Sequence, residues 1–214
     1  MADRSGLFIA FEGGDGSGKS THARRLAQWL TDQGYRVHLT FEPGDTEVGA
    51  SLRQIVLHSP VNLDVRAEAL LYAADKAQHV AEVVRPGLDA GEIIICDRYV
   101  DSTIAYQGAG RALSVDDITR LAWWSVSDLA PDLTVVMDVS VRQAFAGKTD
   151  LDRMESAGVD FHERVRHHFL DLAAADPRRY LVVAGRGPID AATGTIRTAV
   201  SELIDQSDRR LVRV

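Results

Sequence analysis

The sequence predicts an α/β fold in which a parallel sheet of five strands is covered on both faces by helices. Three observations carry that expectation. Five short apolar runs, at residues 7–11, 37–41, 92–97, 133–139 and 180–184, are separated by stretches with helical periodicity. The clearest run has Ile93, Ile94 and Ile95 in succession, without alternation, as a strand buried on both faces requires. Nothing along the 214 residues reads as a repeat, a low-complexity tract or a Pro/Gly-rich linker, so residues 1–214 are expected to form one domain.

Taken in order, residues 7–11 are a buried strand ending in a cluster of glycines. Residues 20–33 carry Ala23, Leu26, Ala27 and Leu30 at helical spacing and stop at Gly34. The second strand, 37–41, breaks at Glu42-Pro43-Gly44, and a short helix follows over 48–57. The longest helix is expected over 64–90, where Leu70, Ala73, Ala74, Ala77, Ala81 and Val84 form one apolar stripe. Pro86 should kink it or restart it near Arg85. After the strand at 92–97 come helices over 102–107 and 114–127, then the strand over 133–139. Helical segments over 141–146 and 160–175 flank a polar stretch, 147–158. The strand over 180–184 and a helix over 191–206 complete the pattern.

Composition narrows the function. With 45% hydrophobic and 26% charged residues, the chain is neither disordered, collagen-like nor a coiled coil. Its net charge of −7, with no basic block, argues against a nucleic-acid partner. No apolar run approaches the ~18 residues of a membrane span, so no membrane partner is expected. The start, Met1-Ala2-Asp3-Arg4 and then an apolar segment interrupted by Glu12, does not read as a signal peptide. Cys96 is the single cysteine; it cannot form an internal disulfide, which fits a reducing cytoplasm, and in a central strand it reads as inert packing.

The segment Gly13-Gly14-Asp15-Gly16-Ser17-Gly18-Lys19-Ser20 fits the phosphate-binding loop G-x-x-x-x-G-K-[ST]. It lies between a predicted strand and a predicted helix, as that loop must. Its glycines allow positive φ and leave backbone N–H groups free to surround phosphates. The helix that follows, with Thr21 in its first turn, aims its positive end at the same anion. Lys19 is expected to reach the β- and γ-phosphates of ATP, and the Ser20 hydroxyl to bind Mg²⁺. The loop predicts nucleotide binding but not the reaction. No [NT]-K-x-D guanine-reading motif and no ABC-type signature follow, and the chain is too short for motor machinery.

Further motifs narrow the choice. Phe11-Glu12-Gly13-Gly14-Asp15-Gly16-Ser17-Gly18-Lys19-Ser20-Thr21, then Glu42-Pro43-Gly44, then Asp97-Arg98-Tyr99 with Ser102-Thr103 and Ala105-Tyr106-Gln107-Gly108, resemble the thymidylate kinase family in order and spacing. The resemblance runs from residue 7 to about residue 175. It implies the doubly wound parallel sheet of P-loop nucleoside-monophosphate kinases, with a short lid at about 147–158. It also implies a homodimer, and transfer of the γ-phosphoryl of MgATP to dTMP to give dTDP and ADP.

The resemblance also implies roles for individual residues. Asp97, at a strand end, is expected near Mg²⁺; the alternative is a helix cap. Arg98 would hold the acceptor phosphate bidentately, or else make a structural ion pair. Thr103 would hydrogen-bond the thymine edge with Gln107 close by, and Tyr106 would crowd the sugar C2′. Tyr99, Thr103 and Tyr106 fall at i, i+4 and i+7, one face of a regular helix. On the long helix, Tyr72, Asp75, Lys76 and His79 form a polar stripe. There Tyr72 takes the place of the family's stacking aromatic, and Lys76 that of an arginine bonding the thymine carbonyl. Asp15 corresponds to a carboxylate that contacts the acceptor sugar and the phosphoryl path. Arg53 is either a second phosphate contact or an exposed helix arginine.

Two departures stand out. Phe41 replaces the arginine that often precedes Glu-Pro-Gly in the family, and the lid stretch carries only Lys148 and Arg153 as cations. Arg153 is therefore expected to be the principal lid cation, with Lys148 in a lesser role and Arg142 next in line. The alternative is an ion pair of Arg153 with Asp150, Asp152 or Glu155. Trp123-Trp124 reads as core or dimer interface, and His162, His167 and His168 as a solvated helix face. The rival functions are another P-loop nucleoside or nucleotide kinase, and a catalytically weak nucleotide-binding regulator.

Overall fold

The computed structural model describes residues 5–111, 113–146, 152–207 and 211–213. Five strands, β1 (Leu7–Glu12), β2 (Val37–Phe41), β3 (Ile93–Asp97), β4 (Leu133–Asp138) and β5 (Tyr180–Ala184), form one sheet in the order β2-β3-β1-β4-β5. Every pair is parallel, with Phe11 in register with Asp97 on one side and Val135 on the other. All six residues of β1 are buried, as the central strand of a sheet covered on both faces must be.

Alternate residues of β1 feed two cores. Leu7, Ile9 and Phe11 pack with Leu26 and Leu30 of α1 (Lys19–Asp32) and with Ile196 and Val200 of α9 (Ile189–Asp205). Phe8 and Ala10 face the opposite side, where Val80, Val84, Leu88, Tyr99 and Ile104 close over them. A third cluster, built on Phe161, Val165 and Phe169 of α8 (Val159–Ala175), continues that layer past β4 and β5. The sequence changes direction across the sheet at β1: β2 and β3 lie to one side, β4 and β5 to the other. A ligand crevice is expected outside the carboxyl ends of strands at such a point.

The helices start where side chains cap them. Thr46 Oγ1 accepts from Gly49 N at 2.9 Å at the head of α2 (Glu47–His58), and Asp64 accepts from Arg66 N at 2.9 Å at the head of α3 (Val65–His79). The long helix expected over 64–90 is three pieces: α3, a π-helical segment over Val80–Val84, and α4 (Arg85–Asp89). It restarts at Arg85 because Pro86 has no N–H to continue the i→i−4 ladder. Its apolar stripe splits. Ala73 and Val84 are buried, whereas Leu70 is 58% exposed and Ala74, Ala77 and Ala81 also face outward.

After β3 the chain forms a single turn, α5 (Val100–Thr103), and a second π-helical segment, Ile104–Gly110, before α6 (Val115–Ser125). The i, i+4, i+7 count from Tyr99 therefore does not describe one face. Tyr99 is the residue before the turn, and it points into the core against Phe8, ring centroids 4.8 Å apart, with its hydroxyl donating to Leu129 O. His162 also departs from expectation. It is buried on α8, 3.0 Å from Glu155 O through Nε2, between the rings of Phe145 and Phe161. His167 is exposed, as read; His168 is partly buried. Trp123 is half-buried beneath Arg179, and Trp124 is 77% exposed.

Candidate active site

The loop between β1 and α1 is positioned by packing as much as by sequence. Gly13 (φ 126°) and Gly16 (φ 69°) adopt conformations that favour glycine, and a Cβ on either would collide with a carbonyl, Met137 O or Ala144 O. Gly14, by contrast, has open space where its side chain would be. Gly18 (φ 97°) turns the chain into α1, whose first residue is Lys19. The Lys19 ammonium is buried and donates to Gly14 O at 2.7 Å. Burial, and then the nearby Arg98 guanidinium, pull its pKa down to about 8 against the attraction of Asp15 and Asp97. Ser17 is buried within the loop, and the Ser20 hydroxyl donates to Asp97 Oδ2. That pairing gives two hard oxygen donors at the carboxyl end of β3, the set Mg²⁺ prefers.

Arg98 follows Asp97 in the left-handed region, φ 71°, a conformation that costs a non-glycine residue on the order of 1 kcal/mol. Neighbours hold it there. Arg98 N donates to Phe11 O at 2.9 Å, and the buried Glu12 carboxylate accepts from Tyr99 N at 2.8 Å and Ser102 N at 3.1 Å. Burial, reinforced by Asp101, raises the Glu12 pKa to about 7. The Arg98 guanidinium pairs with Asp15, donates to Ser102 Oγ at 3.2 Å and lies 5.1 Å from the centre of the Tyr106 ring. Tyr106 donates its hydroxyl to Asp15 Oδ2 at 2.7 Å. Burial alone would raise the Asp15 carboxyl, but Arg98, Lys19 and Tyr106 hold it down at about 2.

Two cavities meet at this group. The larger, about 490 Å³, runs over Gly16, Lys19, Ser20 and Asp97. The smaller, about 190 Å³, is walled by Tyr72, Lys76, Thr103, Tyr106 and Gln107. Asp15, Glu42, Arg53, Arg98 and Glu155 belong to both walls. Arg53 is not a free surface arginine: it donates to Pro43 O at 2.6 Å and stacks 5.7 Å from the Phe41 ring centre. Thr103, Tyr106 and Gln107 thus come together with Tyr72 and Lys76, although Tyr99 leaves the group.

Lys76 is less available than its place in the wall suggests. It is buried and ion-paired with Glu42, whose other oxygen lies 2.7 Å from His79 Nδ1; His79 Nε2 lies 2.6 Å from Thr40 Oγ1. Burial opposes charge on both members of the pair, yet their mutual attraction lowers the Glu42 carboxyl and raises the Lys76 ammonium. Glu42, His79 and Cys96 bring ligand atoms within 4.8 Å of one another, but the Lys76 ammonium already sits on Glu42 where a cation would bind.

Glu68, which no motif in the sequence singles out, organises the far end of the smaller cavity. It is 1% exposed and accepts from Gln107 Nε2 at 3.0 Å, from Arg111 Nε and Nη2 at 3.2 Å each, and from Arg153. Arg153 also donates Nε to Val56 O at 2.9 Å. So Arg153 pairs with Glu68 rather than with Asp152 or Glu155, and it is in neither cavity wall. Lys148 and Asp150 lie outside the described residues. One signal was available: Glu68 is one turn before Tyr72, on the polar stripe already noted on α3.

The sequence profile of the thymidylate kinase family matches residues 11–196. The chain belongs to the thymidylate kinase family. Relatives named thymidylate kinase are similar along nearly their whole length. The one from Cutibacterium acnes is 52% identical over 203 residues, 94% of this chain and 99% of the relative. The one from Clavibacter michiganensis is 50% identical over 204 residues, covering 94% and 97%. The one from Deinococcus radiodurans is 44% identical over 200 residues, covering 92% and 97%. Both the loop and the Asp97–Gln107 segment fall inside the matched range, as does Glu68.

Proposed function

We propose that this chain transfers the γ-phosphoryl of ATP to dTMP, giving dTDP and ADP. The observation that carries this reading is the junction of two cavities, one on a phosphate-binding loop and one walled by Tyr72, Thr103, Tyr106 and Gln107, through Asp15 and Arg98. The triphosphate lies along Gly13–Thr21, with Gly14 open toward it, and Lys19 exchanges Gly14 O for β- and γ-phosphate oxygens. Ser20 and Asp97 would hold Mg²⁺, which would supply charge neutralisation on the triphosphate. Arg98 exchanges Asp15 for the acceptor phosphate, and Arg53 approaches the same point from α2. With no covalent chemistry for side chains to perform, the rate comes from alignment and charge.

Thymine occupies the smaller cavity, between Tyr72 and the Thr103–Gln107 segment. Tyr106, fixed by Asp15 and by edge contacts with Phe161 and Phe169 at 5.9 and 6.5 Å, stands where a ribose 2′-OH would project. The ion pair with Glu68 favours a bracing role for Arg153 at this end; the lid-cation role expected from the sequence requires that pair to open. Residues 1–214 act as one domain, with a lid around 147–158, of which residues 147–151 lie outside those described. The exposed apolar stripe of Leu70, Ala74, Ala77 and Ala81, together with Trp124 on the adjacent α6, supports a homodimer. None of the helices described is long and apolar enough to cross a membrane. A coupled ADP-release assay across nucleoside monophosphates tests the reading: dTMP should exceed dCMP, UMP and AMP in kcat/KM. ADP release that does not depend on dTMP would contradict it.

A further inference from the structure

We propose that Glu68 is a positioning residue that sets acceptor-base specificity by fixing which end of the Gln107 amide faces the base. The inference rests on the assignment of the smaller cavity to the acceptor base. Glu68 is buried, and burial disfavours its charge, but hydrogen bonds from Arg111 and Gln107, with the charges of Arg111 and Arg153, hold its carboxyl below the usual range. It is therefore ionised and can only accept hydrogen bonds. That settles the orientation of a side chain whose oxygen and nitrogen are otherwise interchangeable: Gln107 must turn Nε2 toward Glu68, and does so at 3.0 Å.

Gln107 is in the cavity wall and Glu68 is not. The end of the amide turned away from Glu68 is the carbonyl Oε1, an acceptor. Across the same wall, the Lys76 ammonium can only donate. An edge that meets a donor at one position and an acceptor at the next suits a base with a carbonyl beside an N–H, as thymine has at O4 and N3. Cytosine carries an amino group and a bare ring nitrogen there, so it would face a donor with a donor and an acceptor with an acceptor. Thr103 supplies no such discrimination, because a hydroxyl both donates and accepts.

Glu68→Gln tests the idea. Oε2 of Glu68 faces two arginine N–H groups, Arg111 Nη2 and Arg153 Nη2, and Oε1 only one, Arg111 Nε, so the new amide nitrogen is favoured on the Oε1 side, facing Gln107. Gln107 would then turn its oxygen to residue 68 and present Nε2 to the base. The kcat/KM ratio of dTMP to dCMP should fall about tenfold or more, the scale of one mismatched buried hydrogen bond. The change should come through KM for the two acceptors, with KM for ATP steady. Arg111→Lys loosens the fork on Glu68 but keeps a cation beside it, so Glu68 stays ionised and the ratio should stay within about threefold.

An unchanged ratio in folded Glu68→Gln protein, or an equal fall in Arg111→Lys, would overturn the inference while leaving dTMP phosphorylation intact. Absence of dTMP turnover in the wild type would instead overturn the cavity assignment. If Glu68→Gln does not fold, NMR of the wild type decides. On dTMP addition the Gln107 side-chain carbonyl carbon should shift and its NεH₂ signals should stay in place, whereas the reverse pattern would refute the orientation.

Discussion

The two ends of the site are built by different means. At the donor end, the proposed ligand groups for the triphosphate are backbone N–H groups and one lysine, all within Gly13–Thr21, the loop after β1 and the first turn of α1. Glycine is required there by φ and by the carbonyls of Met137 and Ala144 pressed against the loop. At the acceptor end, the wall is assembled from side chains of α2, α3, α5 and the π-helical segment after it, joined by Glu42 and Glu68. A site made of one local segment is written in the order of its residues. A site made of a side-chain network depends on packing, and its specificity can be altered by residues that never touch the ligand.

The largest expected effect separates the ends most cleanly. Lys19→Ala should reduce kcat by roughly 10²–10³-fold, the scale of losing one preorganised charge on the reacting group. The fold should survive, because among the described residues the ammonium bonds only to Gly14 O of its own loop. Far-UV circular dichroism and steady-state kinetics check both halves.

Arg153→Ala probes the other end. With Arg153 bound to Glu68 and Val56 O, the change should raise KM for dTMP about fivefold, the cost of one weakened brace, with kcat within about threefold. A fall in kcat of ~10²-fold at unchanged KM would move Arg153 from the acceptor brace to the phosphoryl path.

A smaller effect follows from the burial of Lys19. Its pKa of about 8 in the free protein means the charged form prevails below that pH. Bound triphosphate stabilises the ammonium, so binding takes up a proton when the pH exceeds 8. KM for ATP should be flat below about pH 8 and rise toward tenfold per unit above it, while KM for dTMP changes less. A pH series of ATP titrations at saturating dTMP checks the sign.

The same division governs what could be read from the sequence. The five strands and most helix boundaries follow from apolar runs, caps and stops, because parallel sheets impose them locally. Gly13–Ser20 was legible for the same reason. Tyr99 was not, since the count along its segment assumes a helix that includes Tyr99, and Tyr99 is the extended residue before the turn of α5. The stripe on α3 showed which residues are apolar but not which are covered; Leu70 and Ala74 are exposed although Ala73 is buried. Lys76 and Arg153 were recognisable as candidate ligands, yet their partners, Glu42 and Glu68, lie 34 and 85 residues away. Tertiary packing alone makes such pairs.

The central claim is that the junction at Asp15 and Arg98 carries a phosphoryl group from ATP to dTMP, and ³¹P NMR of the products tests it most directly. With enzyme, MgATP and dTMP, the dTMP phosphate signal should be replaced by the α and β signals of dTDP, in step with conversion of ATP to ADP. ADP and inorganic phosphate with dTMP unchanged would contradict it.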